Sequence, residues 1–420
     1  MNQIIKKRIE MIRRGEMPVG YKKDKEGLHP SDWPAKKMSK WLALCERPVT
    51  LSDNESYELV TVRRAFGGVD SRGIYQGKDI LVKNYFKVHS GDFLISKRQI
   101  AHGACGLVPE SLDGAVVSNE YNVFIPEEGT NIQMFNMMMQ LPHYKRLFYL
   151  MSDGVHIEKL LFKTKDWMRR SLAMPPISEQ HKIAEILITC DKVISLKERL
   201  ITEKQKKKDF LMTILLTGRK RLNGFSDEWT QTYLRNICTI SGGGTPDTKQ
   251  LKYWSGEIPW ISSSDVVLGN ITDIKISRKI TEEAIKRSAT QLCPKNSILI
   301  VSRVGVGKIA IAPFELCTSQ DFTNLINVKG NIYFITLLLS KILEQKLRII
   351  QGSAIKGITA KEIKSFTMNL PSIHEQSAIA EILMASDREI ELLKKELEQW
   401  QLKKRALMQL LLTGIVRVKI

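Results

Sequence analysis

The chain has 420 residues and carries 64 lysines and arginines against 45 acidic residues, a net charge of +19. That length accommodates two or three domains of roughly 100–200 residues each, and the charge favours a polyanionic partner, because each phosphate neutralised by a cation releases bound counterions. The six cysteines (Cys45, Cys105, Cys190, Cys238, Cys293 and Cys317) form no CxxC pair and no zinc spacing with histidine. This argues against a disulfide or zinc framework and for reduced thiols in a cytosolic setting.

In chain order, residues 1–27 read as a basic helix and lead-in. Ile4 to Arg14 is amphipathic and lacks the apolar core of a signal peptide. Residues 28–174 form a first mixed α/β block. Strands are expected at Leu59–Val62, Ile80–Val82, Phe93–Ser96, Val116–Ser118 and Val123–Ile125, and a helix from Asn131 to about Met151. Residues 175–218 read as one long helix. Pro175 precedes its start, Glu179 sits in the first turn where the macrodipole favours an acid, and Gly218 follows the last apolar turn. Residues 219–370 form a second block, with strands expected at Ile298–Ser302 and Ile309–Ala312 and a helix from Asn331 to about Ile350. Lys341, Glu344, Gln345, Lys346 and Arg348 interrupt this apolar helix, so no membrane span is expected. Residues 371–420 then repeat the long helix.

That repeat is ungapped. At an offset of 196 residues, Pro175 to Gly218 matches Pro371 to Gly414 at 21 of 44 positions, including Glu179-Gln180 with Glu375-Gln376 and Leu215-Leu216-Thr217-Gly218 with Leu411-Leu412-Thr413-Gly414. Trp33 and Trp229 obey the same offset. Apolar residues recur every seven: Leu187, Ile194, Ile201 and Leu215 in one helix, and Leu383, Ile390, Leu397 and Leu411 in the other, with Trp400 in a second row. This is a coiled-coil seam, with Lys208 and Lys404 at equivalent seam positions. Each helix of about 38 residues spans roughly 57 Å at 1.5 Å per residue. An antiparallel pair would close the repeat on itself with pseudo-two-fold symmetry, the N-terminal segment meeting the end of the second helix. The fold class is therefore α+β, two divergent blocks held in one repeated frame as a pseudo-two-fold circular repeat.

Catalytic signatures are weak. The only Pro-Pro pair lies in Met174-Pro175-Pro176-Ile177 and is not the motif of an adenine methyltransferase. Gly307-Lys308-Ile309 lacks the hydroxyl residue of a Walker loop. Gly305-Val306-Gly307-Lys308-Ile309-Ala310 has a dinucleotide-like spacing, but a strand is expected after it. A nuclease would need Asp247 and Asp273 as metal ligands beside Lys275, a short and common pattern. The histidines form no triad or metal pair.

Gly243-Gly244-Thr245-Pro246, Tyr253-Trp254, Ile258-Pro259-Trp260-Ile261-Ser262, Asp265, Ser302-Arg303, Gly305 to Lys308, Gln320 and Gly352-Ser353 resemble a target-recognition domain of type I restriction-modification specificity subunits. Gly20-Tyr21-Lys22-Lys23 and Asp32-Trp33 resemble the usual lead-in. The first block departs from the Gly-Gly-Thr-Pro pattern and is similar to another domain type, through Gly91-Asp92-Phe93 and Val117-Ser118-Asn119-Glu120-Tyr121. The resemblance implies a non-catalytic, cytoplasmic subunit with two target-recognition domains, each reading half of a split site in double-stranded DNA. The helices would set the unread gap and dock two methyltransferase subunits. Two restriction subunits would complete the complex, with S-adenosylmethionine, ATP and Mg on those partners and no cofactor or metal here. A type IIB-like system is the nearest alternative; a scaffold and a stand-alone nuclease are others.

Base edges need Arg, Lys, Asn or Gln, and phosphates need cations and hydroxyls. On that chemistry the DNA-contact candidates are Lys97, Arg98, Gln99, His102 and Asn119 in the first block. In the second they are Thr245, Ser263, Ser264, Arg303, Lys308, Gln320 and Lys356. The seam residues Leu187, Ile194, Ile201, Leu215, Leu383, Ile390, Leu397, Trp400 and Leu411 are the candidates for coiled-coil pairing and partner docking.

Overall fold

A computed structural model describes residues 3–24, 27–156, 160–350 and 357–418. The chain divides into two compact units. One comprises residues 1–198 and 395–420, the other residues 199–394.

In the first unit, a four-stranded antiparallel sheet runs in the order Cys105–Leu107, Phe93–Ser96, Tyr121–Pro126, Leu42–Leu44. Beside it lies a five-stranded sheet, Pro48–Thr50, Asn84–Lys87, Val116–Ser118, Ser56–Val62, Val69–Gln76, whose only parallel pair is Val116 with Leu59. The Phe93–Ser96 strand is apolar on both faces, as a strand buried on both sides must be. Phe93 and Ile95 enter a core with Phe124, Phe135, Phe148 and Trp167, while Leu94 faces a second core with Val60, Val88 and Val117.

The second unit repeats this plan. Its first sheet runs Thr239–Gly242, Phe322–Ile326, Ile298–Val301, Ile309–Ile311. Its second runs Arg278–Ile280, Ile258–Ile261, Leu316–Thr318, Leu292–Cys293, with Ile258–Ile261 and Leu316–Thr318 parallel. Again the central strand serves two cores: Ile298 and Ile300 face Phe334, Leu339 and Leu383, while Leu299 and Val301 face Ile261, Val266 and Phe322.

Two expectations are corrected. The helix expected from Asn131 to Met151 is two helices, Ile132–Met139 and Pro142–Leu150. Pro142 has no amide hydrogen and its ring would strike the carbonyl four residues back, so Leu141 turns extended (φ −65°, ψ 145°) and Pro142 opens a new first turn. Ile80–Val82 is not a strand: only Ile80 is buried, and Leu81 is 98% exposed. The remaining expected strands and the Ile332–Ile350 helix are present, with ends shifted by a few residues. Among the described residues, no helix is long and apolar enough to cross a membrane.

The long helices are Ile177–Leu215 and Ile373–Leu412. Each contributes to both units, and within each unit the two segments run antiparallel. In the first unit Lys197 pairs with Glu396 (2.5 Å) and Asp191 with Lys404; in the second Lys204 pairs with Glu389 and Lys208 with Asp387. Lys208–Asp387 and Lys404–Asp191 are interchanged by the 196-residue repeat, so the seam lysines find carboxylates and do not simply snorkel to water. Leu187, Leu215, Leu383, Ile390 and Leu411 are buried, and Ile194, Ile201, Leu397 and Trp400 are half-buried. The buried five are therefore spent on the cores and the helix contact, and a docked partner would meet the outer helix faces instead.

At each helix start the repeated Glu-Gln pair fastens a block to the frame. Glu375, 1% exposed, accepts from Arg221 Nε (2.6 Å), Arg221 Nη2 (2.7 Å) and Trp229 Nε1 (3.2 Å). At the equivalent place, fully buried Glu179 accepts from Arg417 Nε and Nη2 (both 2.7 Å), and the same guanidinium reaches Asp32 (2.8 and 2.9 Å). Arg417 lies over Trp33 as Arg221 lies over Trp229. Tyr21 donates to the Gly414 carbonyl (2.5 Å) and Arg8 to that of Ile415 (2.6 Å), so residues 413–418 close onto the lead-in, as the circular repeat requires. Gln180 and Gln376 each accept from the backbone amide that opens a helix after the sheets of a block, Asn131 (2.8 Å) or Asn331 (2.9 Å), and donate to Pro175 or Pro371. Short strand pairs, Ala35–Lys37 with Ser171–Ala173 and Thr230–Tyr233 with Thr367–Leu370, bring each block's two ends together at that point.

Candidate nucleic-acid interface

In both units candidate residues gather where the strand Phe93–Ser96 or Ile298–Val301 ends and its antiparallel neighbour, Tyr121–Pro126 or Phe322–Ile326, begins. In the second unit, the Ser302 and Arg303 amides donate to the Asp321 carbonyl (2.8 and 3.2 Å), so the Arg303 turn lies against Gln320-Asp321. Ser319 N donates to the Ile261 carbonyl (2.9 Å), placing Ser262–Ser264 beside it, and Gly244 N donates to the Thr318 carbonyl (2.8 Å). Four loops therefore converge: 243–247, 262–265, 302–308 and 319–321. Thr245 Oγ1 donates to Gln320 Oε1 (2.5 Å) and holds its amide. Lys308 Nζ donates to the Ser263 carbonyl (2.8 Å), so this cation ties two loops together. Ser264 is exposed and hydrogen-bonded to Ser262, whose hydroxyl and amide meet Asp265 in a capping box. Exposed Arg303 meets no carboxylate among the described residues. Lys356 lies outside the described residues.

Close packing beneath this edge explains the Gly-Gly-Thr-Pro string. A Cβ on Gly243 would stand 1.9 Å from the Ser319 carbonyl oxygen, and one on Gly244 2.4 Å from the Ala289–Thr290 backbone. Only glycine lets the loop come this close. Pro246 and Asp247 continue the loop, and Asp247 accepts from the Lys249 amide (2.9 Å). Asp273 instead lines a cleft of about 520 Å³ with Lys208, Asp387 and Glu391, so the two aspartates of the nuclease reading serve different features. Among the described residues, no group of three or more His, Cys, Asp or Glu is placed to hold a metal. The Gly305–Lys308 string is a hairpin turn, with Gly305 and Gly307 at positive φ, leading into the Ile309–Ile311 strand.

The first unit matches this edge at the two paired strand ends. Lys97 N donates to the Glu120 carbonyl (2.9 Å), as Ser302 N does to that of Asp321. This makes Arg98 the counterpart of Arg303, Asn119 that of Gln320, and Glu120 that of Asp321. Arg98 is paired with Glu120 (2.7 Å), and Lys97 Nζ donates to the Asn119 carbonyl (2.5 Å). Asn119 is exposed, and Gln99 is half-buried with its Oε1 unpartnered among the described residues. His102 closes a short 3-10 turn whose backbone holds a neighbouring loop: the His102 and Gly103 carbonyls accept from Ala65 and Phe66 (2.7 and 2.9 Å). Ala65 and Phe66 both sit at positive φ (55° and 58°), a conformation that costs non-glycine residues energy and persists only when surroundings impose it. Phe66 packs over Gly103, where a Cβ would meet its ring at 3.1 Å. The held loop carries Arg63 and Arg64 to the same edge. These arginines and Glu120 were missed in the sequence, where no periodicity marks a loop residue's strand partners.

A family model described as the type I restriction modification DNA specificity domain matches residues 226–401. The MjaIX specificity subunit of a type I restriction enzyme from Methanocaldococcus jannaschii is 38% identical over 180 residues, a match that spans 41% of this chain and 40% of that relative's length. A second chain of that organism, designated the MjaX specificity subunit, is 25% identical over 95% of this chain and 97% of its own length. Among solved structures, the HsdS subunit of Thermoanaerobacter tengcongensis matches with a TM-score of 0.52 at 16% identity, over 92% of this chain and 98% of that one. A chain from a study of assembly and conformational transition of the type I R-M system gives 0.59 at 17% identity, over 92% and 99%. The sequence relatives and the shared fold agree with the repeat and its two loop-built edges: residues 226–401 match the type I restriction modification DNA specificity domain, and the chain is similar to specificity subunits of type I restriction enzymes.

Proposed function

We propose that the two edges read the two halves of a split target in double-stranded DNA, residues 28–174 one half and residues 219–370 the other. The observation that carries this reading is the matched placement of Arg98, Asn119 and Glu120 with Arg303, Gln320 and Asp321. Arginine reads guanine O6 and N7, amides read adenine, and carboxylates accept from cytosine N4, so each edge presents a base-reading set across the same pair of strand ends. The net charge of +19 supplies the sequence-independent attraction to phosphate. In this reading the long helices set the gap between half-sites, and their outer faces dock two methyltransferase subunits. Those subunits bring S-adenosylmethionine, and two restriction subunits bring ATP and Mg. The chain itself does no chemistry and acts in the cytoplasm.

The test is a methylome. The chain is co-expressed with a methyltransferase subunit from its own source in a methylation-free host, and N6-methyladenine is mapped by single-molecule sequencing. A split motif with an unread gap is expected, and replacing residues 28–174 should change one half only. A contiguous motif, or no methylation from a folded and bound methyltransferase, overturns the reading.

A further inference from the structure

Arg278 opens the Arg278–Ile280 strand directly opposite Trp260, and its guanidinium lies over two indoles, 4.2 Å from the Trp260 ring centroid and 5.4 Å from that of Trp254. The two rings meet edge to face at 5.1 Å. Both are fixed from behind: Trp260 Nε1 donates to the Gly244 carbonyl (2.9 Å) and Trp254 Nε1 to that of Asp247 (3.2 Å). Arg278 is exposed and meets no carboxylate among the described residues, whereas Lys252 and Lys279 beside it are paired with Glu283 and Glu257. It lines an open cleft of about 570 Å³ with Thr248, Leu251, Trp254, Ile276 and Lys279, a wall that contains no acid.

A guanidinium stacked on aromatic faces keeps its in-plane donors free and loses little freedom on binding. The loop that walls the cleft, residues 244–254, also carries Thr245, which holds Gln320. Because Arg278–Ile280 runs antiparallel to Ile258–Ile261, residues 276–278 lie at the same sheet end as the Ser262–Asp265 turn. We propose that this cleft holds the DNA phosphodiester backbone beside the second half-site, with Arg278 as the phosphate donor: a contact that adds affinity and fixes the duplex against the reading loops without reading a base. The proposal rests on the DNA-reading function above.

The test is fluorescence anisotropy of labelled duplexes, with and without the target, against the full chain over a range of salt concentrations. Arg278→Ala should weaken both duplexes by a similar factor, on the order of tenfold, and lower the salt slope by about one, since each phosphate contact contributes roughly 0.9. Arg278→Lys should restore the slope but only part of the affinity, and Trp254→Ala should weaken binding while the charge is kept. An unchanged slope in a folded Arg278→Ala chain, or a loss confined to the target duplex, overturns the proposal. Arg303→Ala run in parallel separates the two failures. If it lowers discrimination while Arg278→Ala does nothing, only the cleft assignment falls; if neither variant changes binding, the DNA-reading function falls with it.

Discussion

The two units solve one packing problem with differently sourced parts. In the second, the arginine beneath the buried glutamate comes from Arg221, which also spans the short step to the Asp227 carbonyl before Trp229. In the first, the same clasp is assembled from remote pieces: Arg417 stands 238 residues from Glu179 and 385 from Asp32. The edges proposed to read DNA differ in the opposite sense. Arg98 is locked by Glu120, while Arg303 meets no carboxylate among the described residues. A repeated frame thus tolerates different connectivity where burial dictates the geometry, and different electrostatics where loops face solvent.

The largest effects should come from the clasps. Glu375→Ala unties Arg221 and leaves the Trp229 indole without its acceptor, and Glu179→Ala unties Arg417; each should lower the denaturant midpoint of unfolding. Equal costs would show that burial alone sets the strength; a smaller cost for Glu179→Ala would show that Asp32 shares the load. Next come the readers. Arg303→Ala should relax one position of the second half-site by about 1–3 kcal/mol, seen as methylation of near-cognate sites. Arg98→Ala should do so in the first half-site, and Glu120→Gln should act in the same direction by removing the carboxylate that positions Arg98. If Arg98→Ala leaves the first half-site motif intact, the match between the edges breaks.

A pH dependence should separate the clasps further. The hydrogen bond from Arg417 holds the Asp32 carboxyl below the ordinary aspartate range. A depressed folded pKa gives a contribution that is present above the unfolded value, near 4, and lost as pH falls through the folded one. Amide protection in residues 413–418, taken relative to the intrinsic exchange rate at each pH, should therefore fall on acidification below about pH 4, and Asp32→Asn should show the lower protection already at pH 7. Glu228, at the matching position, makes no ion pair among the described residues, so the second clasp should lack this component. The smallest effect concerns thiols. Burial pushes Cys293 and Cys317 up to about 12 and raises Cys105 as well. Alkylation at pH 8 should spare all three in the folded chain, in both units alike.

Much of the frame was legible because helix periodicity and an exact offset are properties of sequence alone: Leu187 and Leu383, Glu179 and Glu375, and Gly218 and Gly414 declare one another. The break at Pro142 was legible too, in the proline itself, but the apolar run on either side masked it. The edges were half-legible. Lys97, Arg98, Arg303 and Gln320 stand beside apolar strands that mark where loops begin. Glu120 became visible only through strand register, and Arg278 only through Trp260 across a strand pair, because pairing partners are not encoded locally.

The glutamine at each helix start has one more consequence. Gln180 and Gln376 grip main-chain groups: the Asn131 and Asn331 amides, and the Gly129 carbonyl besides. At this latch a backbone amide and carbonyl are the same whatever side chains surround them. At this point a block needs a tight turn and an asparagine-opened helix to meet the glutamine, while the glutamate clasp and the short strand pair hold its two ends. The joint works as a socket of fixed gauge: it holds main-chain atoms, so its fit is set by where the backbone runs and not by the side chains beyond it.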